Sequence, residues 1–222
     1  MAPRAQQVAV VCCVVALGAA WLTRSPAVPR PQPFAATVLR RWRPRAGDVV
    51  FRASGDVIGD AIRARPGAAG RFSHVGVVVD LTGTPMILDV SPFGTGHVKL
   101  LTIAEFVAGP TTSRVEIMRP KLPLDIVALN AEATAIVQHH VPFDYAFDTE
   151  DDRALYCSEL VFKILHKAGV RWTDVRTQRM TILLSGDRDV ITPDALARSV
   201  DLAPLPLEEA LVDRWRLENR GA

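Results

Sequence analysis

The sequence predicts an α+β domain, an antiparallel sheet packed against helices. Two observations carry this prediction. Strand-like runs cluster early in the chain and helix-like runs late, which favours an antiparallel sheet with segregated helices over an alternating parallel fold. Within the early part, two β-branched runs, residues 73–80 and 86–91, flank the turn-rich Leu81-Thr82-Gly83-Thr84-Pro85 and read as a hairpin.

In chain order, Gly47-Asp48-Val49-Val50-Phe51 reads as a short strand after a turn at Pro44. Residues 56–65 have helical spacing through Val57, Ile58, Ala61 and Ile62, and stop at Pro66-Gly67. The hairpin follows. Residues 97–101 are expected as a third strand, 102–107 as a helical turn and 114–118 as a further strand. Residues 125–140 form an amphipathic helix with Ile126, Leu129, Ala133, Ile136, Val137 and His140 on one stripe, closed by Pro142. A second long helix covers 157–168, turning Leu160, Val161, Ile164 and Leu165 inward, with Gly169 at its C-terminal cap. Thr192-Pro193-Asp194 starts a short helix with a capping Thr and Pro at its first position. Residues 207–217 read as a last surface helix.

The first residues bear on compartment. Arg4 and the amino terminus precede an apolar run at 8–22, about fifteen residues, which is signal-peptide length and short for a membrane span. Gly18-Ala19-Ala20 and Ser25-Pro26-Ala27 offer cleavage sites. Residues 1–27 are therefore read as a signal peptide or membrane anchor, 28–42 as a Pro/Arg-rich linker, and 43–222 as one folded domain. The expectation is export to the periplasm or beyond, with the segment cleaved or kept as an anchor. The arginines that follow the apolar run oppose export, because positive charge stays on the cytoplasmic side. With 26 basic residues against 24 acidic, the chain has no electrostatic footprint for nucleic acid. The linker arginines could touch a lipid surface or a wall polymer.

Three cysteines are present, and two, Cys12 and Cys13, lie in the leader. The remaining thiol, Cys157, can form no internal disulfide and no cysteine metal cluster. It opens a helix, where the backbone dipole favours a thiolate. A thiol hydrolase also needs an imidazole and a group to orient it. Of five histidines, His166 is more than two turns along the same helix, His139 and His140 end a helix, and His97 follows Gly94-Thr95-Gly96. His74 starts a β-branched strand, where a polar side chain needs a reason. Gly76 on its face is expected to leave open space beside the ring. If Leu81 and Thr82 make the hairpin turn, His74 faces Asp89; if Thr82 and Gly83 make it, His74 faces Ser91 and Asp89 is diagonal. Asp is disfavoured in strands, so Asp89 calls for an explanation in either register.

Each residue also has a purely structural reading, as a small buried hydrophobe, a satisfied core histidine and a turn aspartate. A metal reading would use His139, His140, Glu150, Asp151 and Asp152, but that acidic run reads as a solvated loop, and no metal or other cofactor is expected. Phosphate-loop and dinucleotide motifs are absent from the sequence.

Gly47-Asp48-Val49-Val50-Phe51, Phe72-Ser73-His74-Val75-Gly76-Val77-Val78, Ile87-Leu88-Asp89-Val90, Phe143-Asp144-Tyr145-Ala146-Phe147, Tyr156-Cys157-Ser158-Glu159-Leu160-Val161 and Ile191-Thr192-Pro193, in that order, resemble the YiiX/YebB-like cysteine hydrolases, a circularly permuted branch of the NlpC-like, papain-fold superfamily. The likeness spans about residues 45–200. It implies Cys157 as nucleophile, His74 as base and Asp89 as the third residue, in a position where the family typically has Glu. It also implies acyl transfer through an acyl-cysteine, with the Cys157 N–H among the oxyanion donors. The expected substrate is a cell-wall peptide or another amide. The alternatives are a lipid-directed acyltransferase or thioesterase on the same residues, or a non-catalytic envelope module.

Overall fold

The computed structural model describes residues 38, 42–54, 70–92, 94–108, 112–182 and 186–205. The expected leader, the helix at 56–65 and the helix at 207–217 lie outside the described residues.

Strands β1 (Val49–Ser54), β2 (His74–Val79), β3 (Met86–Asp89), β4 (Lys99–Leu101), β5 (Thr112–Pro120) and β8 (Leu202–Pro204) form one sheet in the order β4-β3-β2-β1-β5-β8. Every neighbouring pair is antiparallel. A separate hairpin pairs β6 (Gln178–Ile182) with β7 (Gly186–Val190). The described helices are α1 (Ile103–Val107), α2 (Ile126–Gln138), α3 (Cys157–Lys167) and α4 (Pro193–Ala197). This is the α+β antiparallel architecture that the sequence predicts.

The sheet is covered on both faces, which explains why β1 and β2 read as near-continuous apolar runs rather than alternating ones. On one face Val49, Phe51, Val75, Val77 and Leu88 join Leu129, Ala133 and Ile136 of α2 and Leu160, Val161, Ile164 and Leu165 of α3. On the other, Val50, Val78, Ile87, Val115 and Ile117 join Ile103, Phe106 and Val107 of α1 with Val38 and Trp42. The strand period of two sends odd residues of β1 and β2 to the α2–α3 side and even ones to the α1 side.

Local chemistry sets the boundaries. Gly47 adopts φ +91°, a conformation suited to glycine, and its N–H donates to the Val78 carbonyl. The next residue, Asp48, is fully buried and accepts from Trp42 Nε1 at 2.9 Å, the Arg45 N–H at 3.0 Å and Arg119 Nε at 2.6 Å, so its charge is both paired and hydrogen-bonded. Thr102, Asp125 and Thr192 cap α1, α2 and α4 by accepting from the N–H groups of Glu105, Ala128 and Ala195. After α3, Gly169 at φ +108° reverses the chain as expected. The α2 stripe is shorter than the sequence suggests. Ile126 is 39% exposed, and His140 stands beyond the helix at φ +49°.

Candidate active site

His74 is the first residue of β2 and Asp89 the last of β3, both buried, and His74 Nε2 lies 2.6 Å from Asp89 Oδ1. The ladder decides between the two hairpin registers. Val77 pairs with Leu88 and Val79 with Met86, which continues to His74 opposite Ser91 with Asp89 diagonal. The connection is a six-residue loop rather than a two-residue turn, because pairing stops at Val79 and Met86. The expectation of open space beside the ring is corrected. A Cβ on Gly76 would meet Ile87 Cγ2 at 2.5 Å and Phe106 Cε2 at 3.1 Å. The absence of a side chain there admits Phe106, whose ring stacks on the imidazole with centroids 5.5 Å apart at 26°.

The electrostatics of the pair follow from burial and charge. Burial pulls the His74 pKa down, but the Asp89 carboxylate, the negative charge of a Cys157 thiolate and the hydrogen bond to Asp89 outweigh it, raising the value to about 9 against some opposition from Arg52. For Asp89, burial acts upward, yet the His74 charge and hydrogen bond, with Arg52 and Lys99, hold it below the usual carboxylate range.

Cys157 is the first residue of α3, a partly exposed free thiol. The helix begins here because Tyr156 is extended, its N–H donating to Glu159 Oε2 at 3.2 Å. Two side chains flanking the thiol grip one residue of the chain after β7. Tyr156 Oη accepts the Ile191 N–H at 3.0 Å, and Ser158 Oγ donates to the Ile191 carbonyl at 2.7 Å. This grip explains why Tyr-Cys-Ser and Ile-Thr-Pro segments belong to one site. As the first helical residue, Cys157 has an N–H with no partner within the helix, available to a developing oxyanion.

The structure therefore joins His74 and Asp89 directly; among the described residues Cys157 makes no hydrogen bond to the ring, and a thiolate there would favour the imidazolium. Helix α3 packs against β2. Catalytic hydrogen bonds are often long before substrate arrives. With Nε2 held by Asp89, Nδ1 is the ring nitrogen left to exchange a proton.

Glu159, fully buried one turn into α3, pairs with Lys163 Nζ at 2.6 Å. Burial pushes its pKa up to about 7 despite that lysine. The other histidines stay apart. His97 Nδ1 meets the Thr95 carbonyl at 2.6 Å, His166 Nδ1 meets the Val170 carbonyl at 3.0 Å, and His139 and His140 are exposed. Asp144 accepts from the N–H groups of Ala146 and Asp148 and shapes its own loop. Sequence reasoning missed Phe106 and Arg52. The one available signal was an arginine in the middle of the otherwise apolar and small Val49–Ser54 strand.

Comparison with known proteins adds the following. The model of the Peptidase_C92 family, described as permuted papain-like amidase enzyme, YaeF/YiiX, C92 family, matches residues 43–205. The crystal structure of metalloprotein yiiX from Escherichia coli O157:H7, DUF1105, superposes with a TM-score of 0.58 at 21% identity, covering 74% of this chain and 97% of that one. At that identity the likeness shows the fold. No curated protein matches the sequence.

Proposed function

We propose that this chain, which belongs to the permuted papain-like amidase family, hydrolyses an amide through Cys157, with His74 as proton carrier and Asp89 as its orienting partner. The observation that supports this most is the buried imidazole–carboxylate pair at 2.6 Å, together with a partly exposed free thiol at the start of the helix that packs on the histidine strand. A carboxylate on Nε2 keeps the ring in one orientation and stabilises the imidazolium form.

The reaction proceeds in two acyl transfers. Cys157 Sγ, having lost its proton to the His74 ring, attacks the amide carbonyl, and the oxyanion forms beside the Cys157 N–H. The C–N bond breaks as the imidazolium returns that proton to the leaving amine. Water, giving its proton to the ring, then cleaves the thioester and restores the thiol. An amide exposed outside the cytoplasmic membrane, above all a cell-wall peptide, is the substrate class that fits the expected export of the chain. The solved neighbour is described as a metalloprotein. Among the described residues no group of three or more His, Cys, Asp and Glu is placed to hold an ion, and the steps above are written with this chain's own residues alone.

The test is the alkylation rate of Cys157 by iodoacetamide against pH, in the full chain with Cys12→Ser and Cys13→Ser so that one thiol remains, alongside release of amine from wall-peptide amides. Fast alkylation below neutral pH, slowed by His74→Ala, together with hydrolysis abolished by Cys157→Ala, supports the reading. Slow alkylation indifferent to His74, with no amide cleaved, sinks it.

A further inference from the structure

We propose that Arg52 is a positioning residue for the His74 imidazole: from the neighbouring strand it fixes Phe106 against the ring and sets a positive charge beside the His74–Asp89 pair. The inference rests on the proposed role of His74 as proton carrier.

Arg52 stands directly opposite His74 in the β1–β2 ladder. Opposed residues of an antiparallel pair project from the same face with Cβ atoms about 5 Å apart. On that face, which α1 covers, Arg52 is partly buried, and its guanidinium has specific partners. Its NH1 donates to the Phe106 carbonyl at 3.1 Å, one of the last carbonyls of α1, which have no acceptor role within the helix. Its guanidinium carbon also lies 4.9 Å from the centroid of the Phe106 ring, a cation–π contact. Phe106 is fully buried, and the same ring stacks on the imidazole. The imidazole is thus constrained twice. Asp89 holds Nε2 in the ring plane, and Phe106, anchored by Arg52, covers one ring face. Rotation of the ring would lose both contacts.

The charge has a separate consequence. The groups acting on the pair are Asp89 from β3, Cys157 from α3, Arg52 from β1 and, on Asp89, Lys99 from β4. Asp89 and the thiolate both favour the imidazolium. Unopposed, they would make it too weak an acid to hand its proton to a leaving amine, since a proton carrier works best with a pKa near the working pH. Arg52 opposes them from the adjacent strand.

The test is an NMR titration of the His74 ring in the full chain, comparing wild type with Arg52→Gln, which is neutral and polar, and with Arg52→Lys, which keeps the charge. The Gln variant should titrate about one pH unit higher than wild type, by the loss of one positive charge at close range. The Lys variant should titrate as wild type does. Should the Gln variant not fold, Arg52→Met, which retains the aliphatic stem, replaces it. A neutral variant titrating at or below the wild-type value overturns the inference. This readout is independent of turnover. A chain that cleaves no amide but shows the upward shift rejects the proposed function and keeps the role of Arg52. An active chain without the shift does the reverse.

Discussion

Replacing Asp89 with Asn removes a charge and almost no shape. The amide oxygen can still accept the Nε2–H of His74, so the contact at 2.6 Å survives while its ionic part is lost. The charge centres of an imidazolium and a carboxylate in such contact are about 4 Å apart, worth roughly 4 kcal/mol at an effective dielectric constant of 20. That corresponds to about three pH units. With burial and Arg52 then acting against a thiolate alone, His74 should titrate near pH 6 instead of about 9. The direct assay is the pH dependence of the His74 ring signals by NMR, assigned by their disappearance in His74→Gln.

Stability must follow the same charge. The folded value of about 9 exceeds the ordinary 6.5, so the folded state binds the proton more tightly. The stabilisation is fully present below pH 6.5 and is lost as pH rises through 9, by about 3 kcal/mol in all. Urea denaturation of the wild type should show this decline, and Asp89→Asn should not. If the Asn variant still titrates near 9 and still loses stability over that window, the charge of Asp89 is not what holds the imidazolium, and the reasoning fails.

Asp89→Glu, the longer carboxylate, should retain much of the activity that Asp89→Asn loses, as measured by initial rates; equal rates in the two would remove Asp89 as orienting group. Cys157→Ala should lower amide hydrolysis by about a thousandfold or more while the chain keeps its native circular-dichroism spectrum. Gly76→Ala should cost about 1–3 kcal/mol by overpacking against Ile87 and Phe106, read from urea unfolding. Tyr156→Phe strands the buried Ile191 N–H and should cost about 1–3 kcal/mol in the same assay. Glu159 has a folded pKa of about 7 against an ordinary 4.5, so its stabilisation is complete below 4.5 and lost as pH rises through 7; Glu159→Gln should abolish that slope.

Much of the sheet was legible because it is buried on both faces. The Val-rich runs of β1 and β2 leave little room for another reading, and the capping residues Thr102, Asp125 and Thr192 stand where their helices begin. The β6–β7 hairpin was not legible. Its strands carry little apolar alternation and are matched instead by polar and charged partners across the ladder, Thr181 with Asp187 and Arg179 with Asp189. At the site, His74 and Asp89 were readable as polar residues in strands that had no use for them. Phe106 was not. Nothing in a short amphipathic turn announces which ring it will stack on, and the space it occupies is created by a glycine thirty residues earlier. The register was open for a related reason. A six-residue connection imposes no turn geometry, so the hydrophobic faces of β2 and β3 set the alignment.

The order of the strands has a consequence for biosynthesis. His74 and Asp89 are only fifteen residues apart in sequence, and five of the six strands of the main sheet end by Pro120, well before Cys157 leaves the ribosome. Chains are made from the N-terminus, and their early segments are free to organise first. The His74–Asp89 pair can therefore assemble while Cys157 is not yet translated. Only when α3 docks on β2, and Tyr156 and Ser158 close on the later Ile191, does the thiol come under the influence of the waiting imidazole. Chain order makes the meeting of Cys157 with the His74–Asp89 pair a late event, one that marks the domain as complete.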